Sequence, residues 1–233
     1  MLRRFLLLIS MVLVFAISSF SQNKTELGVQ FSANRDFMKI LDSGWAMKNL
    51  ISNSSTYAFN VRHFLNSRFS LESGVQMKYR RNSTGLPVYV RSSSLSVPLK
   101  VNYHVLVSKK NRIHLAPTFG FKYRIKTFEI DPLQDEGLTA SPILNTSLNY
   151  EYDAQFYDNS LGLLFGMGAE FKVLKSSTLR IAFHNELFFK PFYRNEIRYD
   201  DEANGAFNGR VESMGSNRSI DVQFFIPFRK MLD

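Results

Sequence analysis

The chain has 233 residues, a formal charge of +9 and no cysteine. That length suits one domain, and the absence of cysteine excludes a disulfide framework and a lipid anchor attached through a cysteine thiol. Beyond residue 22 no apolar run approaches the ~20 residues that a membrane helix needs, so a membrane-spanning form of this chain has to be a closed barrel.

Residues 1–21 read as a secretory signal, leaving 22–233 as a single β-barrel domain. Arg3 and Arg4 supply the charged start, Phe5 to Ile17 the apolar run, and Ser19 and Ser21 the small residues ahead of a cut before Gln22. Loss of Arg3 and Arg4 with the signal lowers the formal charge from +9 to +7. An exported chain meets no nucleic acid by default, and no nucleic-acid-binding motif is present. The expected partners of the basic surface are outer-membrane lipid and lipopolysaccharide phosphates.

Apolar and polar residues then alternate through eight segments, the period of a strand with one greasy and one polar face. In the first, Leu27, Val29, Phe31 and Ala33 oppose Glu26, Gly28, Gln30, Ser32 and Asn34. The second sets Tyr57, Phe59 and Val61 against Thr56, Ala58, Asn60 and Arg62, and the third runs from Phe69 to Tyr79. Segments four and five form a hairpin around 108–111. Leu95 to Val107 is apolar at every odd position, and Ile113 to Ile125 resumes the pattern. The sixth spans Leu161 to Val173, the seventh Leu179 to Phe189 and the eighth Ile220 to Phe228. Strands of this length match the roughly 9–11 tilted residues that cross an outer membrane.

The connections alternate as well. Short turns lie near 66–67, 108–111 and 175–176, and long segments at 36–54, 81–92, 129–158 and 190–217. Short periplasmic turns and long outer loops mark an outer-membrane barrel. The expected fold is therefore all-β: an eight-stranded antiparallel up-and-down transmembrane β-barrel. A soluble lipocalin-like ligand-binding barrel shares the period. Against it stand the unbroken large apolar faces, the Gly, Ala and Ser of the polar faces, and a girdle of Tyr57, Tyr79 and Tyr123 at the loop ends.

Turn geometry also predicts register. Pairing Leu65 with Phe69 sets Arg62 opposite Glu72, and pairing Val173 with Ser177 sets Glu170 opposite Arg180. These four residues are expected as lumen ion pairs. His104 and His114 could face one another across the central hairpin, but a third metal ligand is not evident, and neither a metal nor another cofactor is expected. His184 and Glu186 share a polar face, a pattern compatible with a small lipid-modifying enzyme, yet no serine nucleophile accompanies them. No catalytic residue is therefore assigned. The acidic residues of 129–158 and of 200–202 lack an ordered calcium-binding spacing and read as solvated loops. In the 36–54 segment, Phe37, Ile40, Leu41 and Trp45 stand at near-helical spacing, the pattern of a short amphipathic helix on the membrane surface or of a contact with another envelope protein.

The segment Ser94 to Tyr103, Ser-Leu-Ser-Val-Pro-Leu-Lys-Val-Asn-Tyr, resembles the strand with an apolar-Pro-Leu core in the PorT-like outer-membrane β-barrel family of Bacteroidota. The Ser-Phe-Ser-Gln ending at Gln22 is similar to signal-peptide processing sites of that phylum. The resemblance implies an outer-membrane barrel, and for PorT itself assistance to type IX secretion. Together these readings point to a non-enzymatic structural or accessory component of a cell-envelope assembly. A lipid-modifying barrel enzyme and a soluble ligand-binding barrel are the alternatives.

Overall fold

The structure is a computed structural model that describes residues 25–41, 49–81, 91–108, 113–129, 149–173, 177–201 and 205–228. Its strands are β1 (Thr25–Leu41), β2 (Asn49–Phe64), β3 (Phe69–Arg81), β4 (Arg91–Tyr103), β5 (Val105–Ser108) and β6 (Ile113–Glu129). They continue with β7 (Asn149–Phe156), β8 (Ser160–Val173), β9 (Ser177–Phe188), β10 (Tyr193–Asp201), β11 (Gly205–Ser213) and β12 (Asn217–Pro227). No helix among the described residues is long and apolar enough to cross a membrane. The expected signal peptide lies outside the described residues.

Eight staves make the barrel: β1, β2, β3, the β4–β5 pair, β6, β8, β9 and β12. Each pairs antiparallel with the next, and β12 closes on β1 from Glu26↔Pro227 to Asp36↔Asn217. Closure removes the sheet edge, and it satisfies the backbone N–H and C=O groups that lipid cannot. The fourth stave breaks at His104, whose backbone N–H donates to the Arg68 carbonyl at 2.6 Å.

The polarity of the barrel is inverted relative to a soluble protein. The apolar face points out: Val29 is 59% exposed, and Phe59, Val75, Leu99, Phe119 and Met167 on neighbouring staves are exposed with it. The residues buried inside are mostly polar or charged, among them Arg62, Glu72, Lys100, Arg180 and Gln223. A ligand-binding soluble barrel would have the opposite arrangement, so this is a membrane-spanning barrel of the outer-membrane type. Tyr57 and Tyr79 sit exposed near the outer end, their rings 6.0 Å apart, and Phe69 and Tyr103 stack 4.9 Å apart near the inner end.

Two connections expected as loops, 129–158 and 190–217, contain strand. β7 leads into β8, β10 follows β9 and β11 precedes β12. They pair in the order β1–β11–β10–β7 and carry the wall beyond the barrel. The 36–54 segment is corrected in the same way. Phe37, Ile40 and Leu41 belong to β1, where Ile40 pairs with Val211 and Leu41 with Arg210, so the helical reading fails for these residues. Ladder hydrogen bonds to β2 and β11 hold this backbone extended. Trp45 lies outside the described residues.

A charge on the lipid face tests the orientation. Val75→Arg, near the middle of β3, is expected to cost about 2–4 kcal/mol, read from denaturant unfolding in lipid vesicles. A neutral result would mean that this face does not meet lipid.

Candidate functional site

The side chains with chemistry converge inside the barrel, because period-two alternation sends every second residue of each stave to the lumen. They form an inner and an outer cluster, with a histidine–aspartate pair between them.

The inner cluster holds the four predicted residues. The register sets Arg62 across from Glu72 and Glu170 across from Arg180. The ion pairs, however, run largely across the lumen. Arg62 donates to Glu26 from Nε at 3.0 Å and again from Nη2, and it reaches Glu170 through Nη1. Arg180 Nη1 donates to Glu72 at 3.1 Å, while its Nε lies 3.9 Å from Glu170. Arg62 and Glu72 make no direct bridge; Lys100 takes the other oxygen of Glu72. A long arginine spans a narrow lumen and reaches a carboxylate on the opposite wall, so the facing residue is not necessarily the partner. Gly168 makes room for this: a Cβ there would meet Arg180 Nε at 2.5 Å and the Ala182 Cβ at 3.1 Å. Phe225 closes the inner end, with the Arg62 guanidinium 3.9 Å over its ring.

His104 and His114 do not face one another. Val105 pairs with Leu115 and Leu106 with His114, so the hairpin register places His114 elsewhere. His104 instead puts Nδ1 3.0 Å from Glu170 and Nε2 2.8 Å from the Ser70 hydroxyl. Among the described residues no group of three His, Asp or Glu is placed to hold a metal ion.

Between the clusters, His184 Nδ1 lies 2.6 Å from Asp221 Oδ2. Glu186, its expected companion, accepts instead from Lys122 at 2.6 Å and from Asn217 at 2.7 Å. His184 Nε2 has no hydrogen-bond partner, so the pair lacks the hydroxyl that a nucleophile–base couple requires. Asp221 was legible as a polar residue of the last strand. Its partner was not, because β9 and β12 join across a long connection that sets no register.

The outer cluster was not foreseen. Lys78 donates to Asp36, and Arg80 Nε lies 3.6 Å from the other Asp36 oxygen. Arg80 and Arg124 stand 3.9 and 5.1 Å from the ring of Phe192, and Arg124 is also 4.1 Å from that of Phe188. Gly215 adopts a left-handed φ of 74° beside Arg124, a position where a side chain would meet the guanidinium.

Phe37 is exposed on the outer wall, with the Arg218 guanidinium 5.5 Å over its ring. Of the acidic residues expected in solvated loops, Glu129, Glu151, Asp153, Asp200 and Asp201 lie on strands. Asp158 accepts the Thr127 backbone N–H at 2.7 Å. Asp131, Asp135, Glu136 and Glu202 lie outside the described residues.

No family model and no curated protein matches the chain. Solved structures similar to it include a major outer membrane protein from Thermus thermophilus. It is 11% identical with a TM-score of 0.48, and the match covers 88% of this chain and 99% of that one. The outer membrane protein OprG from Pseudomonas aeruginosa is 11% identical, with a TM-score of 0.45 and coverage of 89% and 97%. Neisserial surface protein A is 13% identical, with a TM-score of 0.43 and coverage of 87% and 97%.

Removing one member of the inner cluster leaves its partners buried and unpaired. Arg62→Met is expected to destabilise the barrel by about 3–5 kcal/mol in denaturant unfolding followed by circular dichroism. Neutralising Glu26 and Glu170 to Gln in the same background should return part of that loss. An unchanged midpoint for the single variant would show that the cross-lumen pairs do not form.

Proposed function

We propose that this outer-membrane barrel is a non-enzymatic structural or accessory component of a cell-envelope assembly, acting through its outer extension. The observation that carries this reading is the closed lumen. Arg62, Arg180, Glu72 and Glu170 are buried together across it, and eight strands leave no room for an aqueous channel. The exposed chemistry then lies beyond the membrane. The β10–β11 hairpin is zipped there by Arg194–Glu212 and Arg210–Glu196 pairs, each at 3.0 Å. It continues a wall that also includes β7 and the outer end of β1.

The partner of this extension is another envelope protein, with lipopolysaccharide and outer-membrane lipid around the barrel. The resemblance of Ser94 to Tyr103 to PorT-like barrels makes a secretion assembly the first candidate. Phe37, Ile40 and Leu41 place apolar residues at the rim of β1, where Trp45 follows in the chain. They are the residues proposed to make the contact.

Purification from native outer membranes in mild detergent is expected to bring down one protein in stoichiometric amount. Phe37→Ser should reduce its recovery while the barrel remains folded. The purified barrel should give no steady conductance in a planar bilayer. A barrel that isolates alone, or that conducts ions, would contradict the accessory reading.

A further inference from the structure

We infer that the outer end of the lumen binds a phosphate group, held by the guanidiniums of Arg80 and Arg124. The first ground is charge. In the inner half, the buried Arg62, Lys100 and Arg180 face the buried Glu26, Glu72 and Glu170, an even balance. In the outer half, Lys78, Arg80, Lys122 and Arg124 are all buried, while Asp36 and Glu186 are the buried carboxylates among the described residues. Among the described residues, the buried charges at that end leave an excess of two positive charges.

The second ground is unused hydrogen-bonding capacity. Arg80 Nε and Arg124 Nη1 are buried without a hydrogen-bond partner. Arg80 Nη1 donates to Ser94 Oγ at 3.0 Å, and Arg124 Nη2 donates to the Met214 carbonyl at 3.3 Å. Glu186 is committed to Lys122 and Asn217, and Asp36 Oδ1 accepts from Lys78, while Asp36 Oδ2, 3.6 Å from Arg80 Nε, is left without a hydrogen-bond partner. The nearby Asp158 is exposed and accepts the Thr127 amide. Two like charges leaning on one Phe192 ring, shielded from water, call for an anion between them.

The ligand chemistry follows. A phosphate monoester or free phosphate carries about −1.5 to −2 at neutral pH, which matches the excess, and its oxygens accept the paired N–H groups of arginine forks. The site lies toward the outer face, where the phosphate can come from a lipid headgroup or from free phosphate.

The test uses the full barrel refolded in phosphate-free detergent and, separately, the barrel extracted from membranes. For free phosphate, inorganic phosphate should raise the thermal midpoint more than chloride at equal ionic strength. Arg80→Gln and Arg124→Gln should each weaken that binding about 10- to 100-fold, and Lys172→Gln at the inner end should leave it unchanged. For a lipid source, native mass spectrometry of the extracted wild type should show about one phosphorus-containing lipid per chain that survives mild activation. That reading needs no variant and stands if the substituted chains do not refold. Wild-type protein with neither a phosphate-specific shift nor a retained phospholipid would overturn the proposal. Wild-type phosphate affinity in both arginine variants would overturn it as well.

Discussion

The structure depends on one constraint: a membrane barrel of eight strands encloses a lumen that must be filled by side chains, and those side chains are polar. Lipid requires the apolar residues outside, so the contacts that a soluble protein makes through hydrophobic burial are made here by hydrogen bonds and ion pairs. These links join staves that are not neighbours. Arg62 on β2 reaches Glu170 on β8, Arg180 on β9 reaches Glu72 on β3, and Lys78 on β3 reaches Asp36 on β1. The backbone ladder closes the wall, and the lumen network fixes its cross-section.

The same network divides the molecule by role. At the inner end the charges are balanced and Phe225 fills the remaining space. At the outer end the buried cations outnumber the buried carboxylates among the described residues, and Phe188 and Phe192 cover them where the β9 strand gives way to β10. Above that point the wall is held by exposed cross-strand ion pairs on β10 and β11, which are weak individually and leave the surface free for contact. The buried charge network lies within the membrane, and the exposed pairs of β10 and β11 lie beyond it.

The barrel staves were legible in the sequence because each carries an apolar residue at every second position. The short turns fixed the register of β2–β3 and β8–β9 outright. The extension was not legible. Along β10, Arg194, Glu196 and Arg198 alternate with Asn195, Ile197 and Tyr199, a pattern with no unbroken apolar face to mark it. The near-helical spacing after Asp36 misled for a related reason, since the ladder with β2 and β11 overrides the local pattern. Ion-pair partners were readable only as a set. Sequence places Arg62 and Glu72 on one face, but which carboxylate an arginine reaches depends on the curvature of the closed wall. The outer cluster escaped notice because Lys78, Arg80, Lys122 and Arg124 looked like ordinary polar positions until closure brought them together.

The most direct test of the inside-out barrel uses the absence of native cysteine, which lets a single introduced thiol report its surroundings. Cysteines placed singly from Val29 to Asn34 would be labelled with a fluorophore and reconstituted in bilayers containing brominated lipid. Strong quenching at residues 29, 31 and 33 and weak quenching at 30, 32 and 34 is the predicted result. Quenching with the opposite phase, or without a two-residue period, would contradict the account.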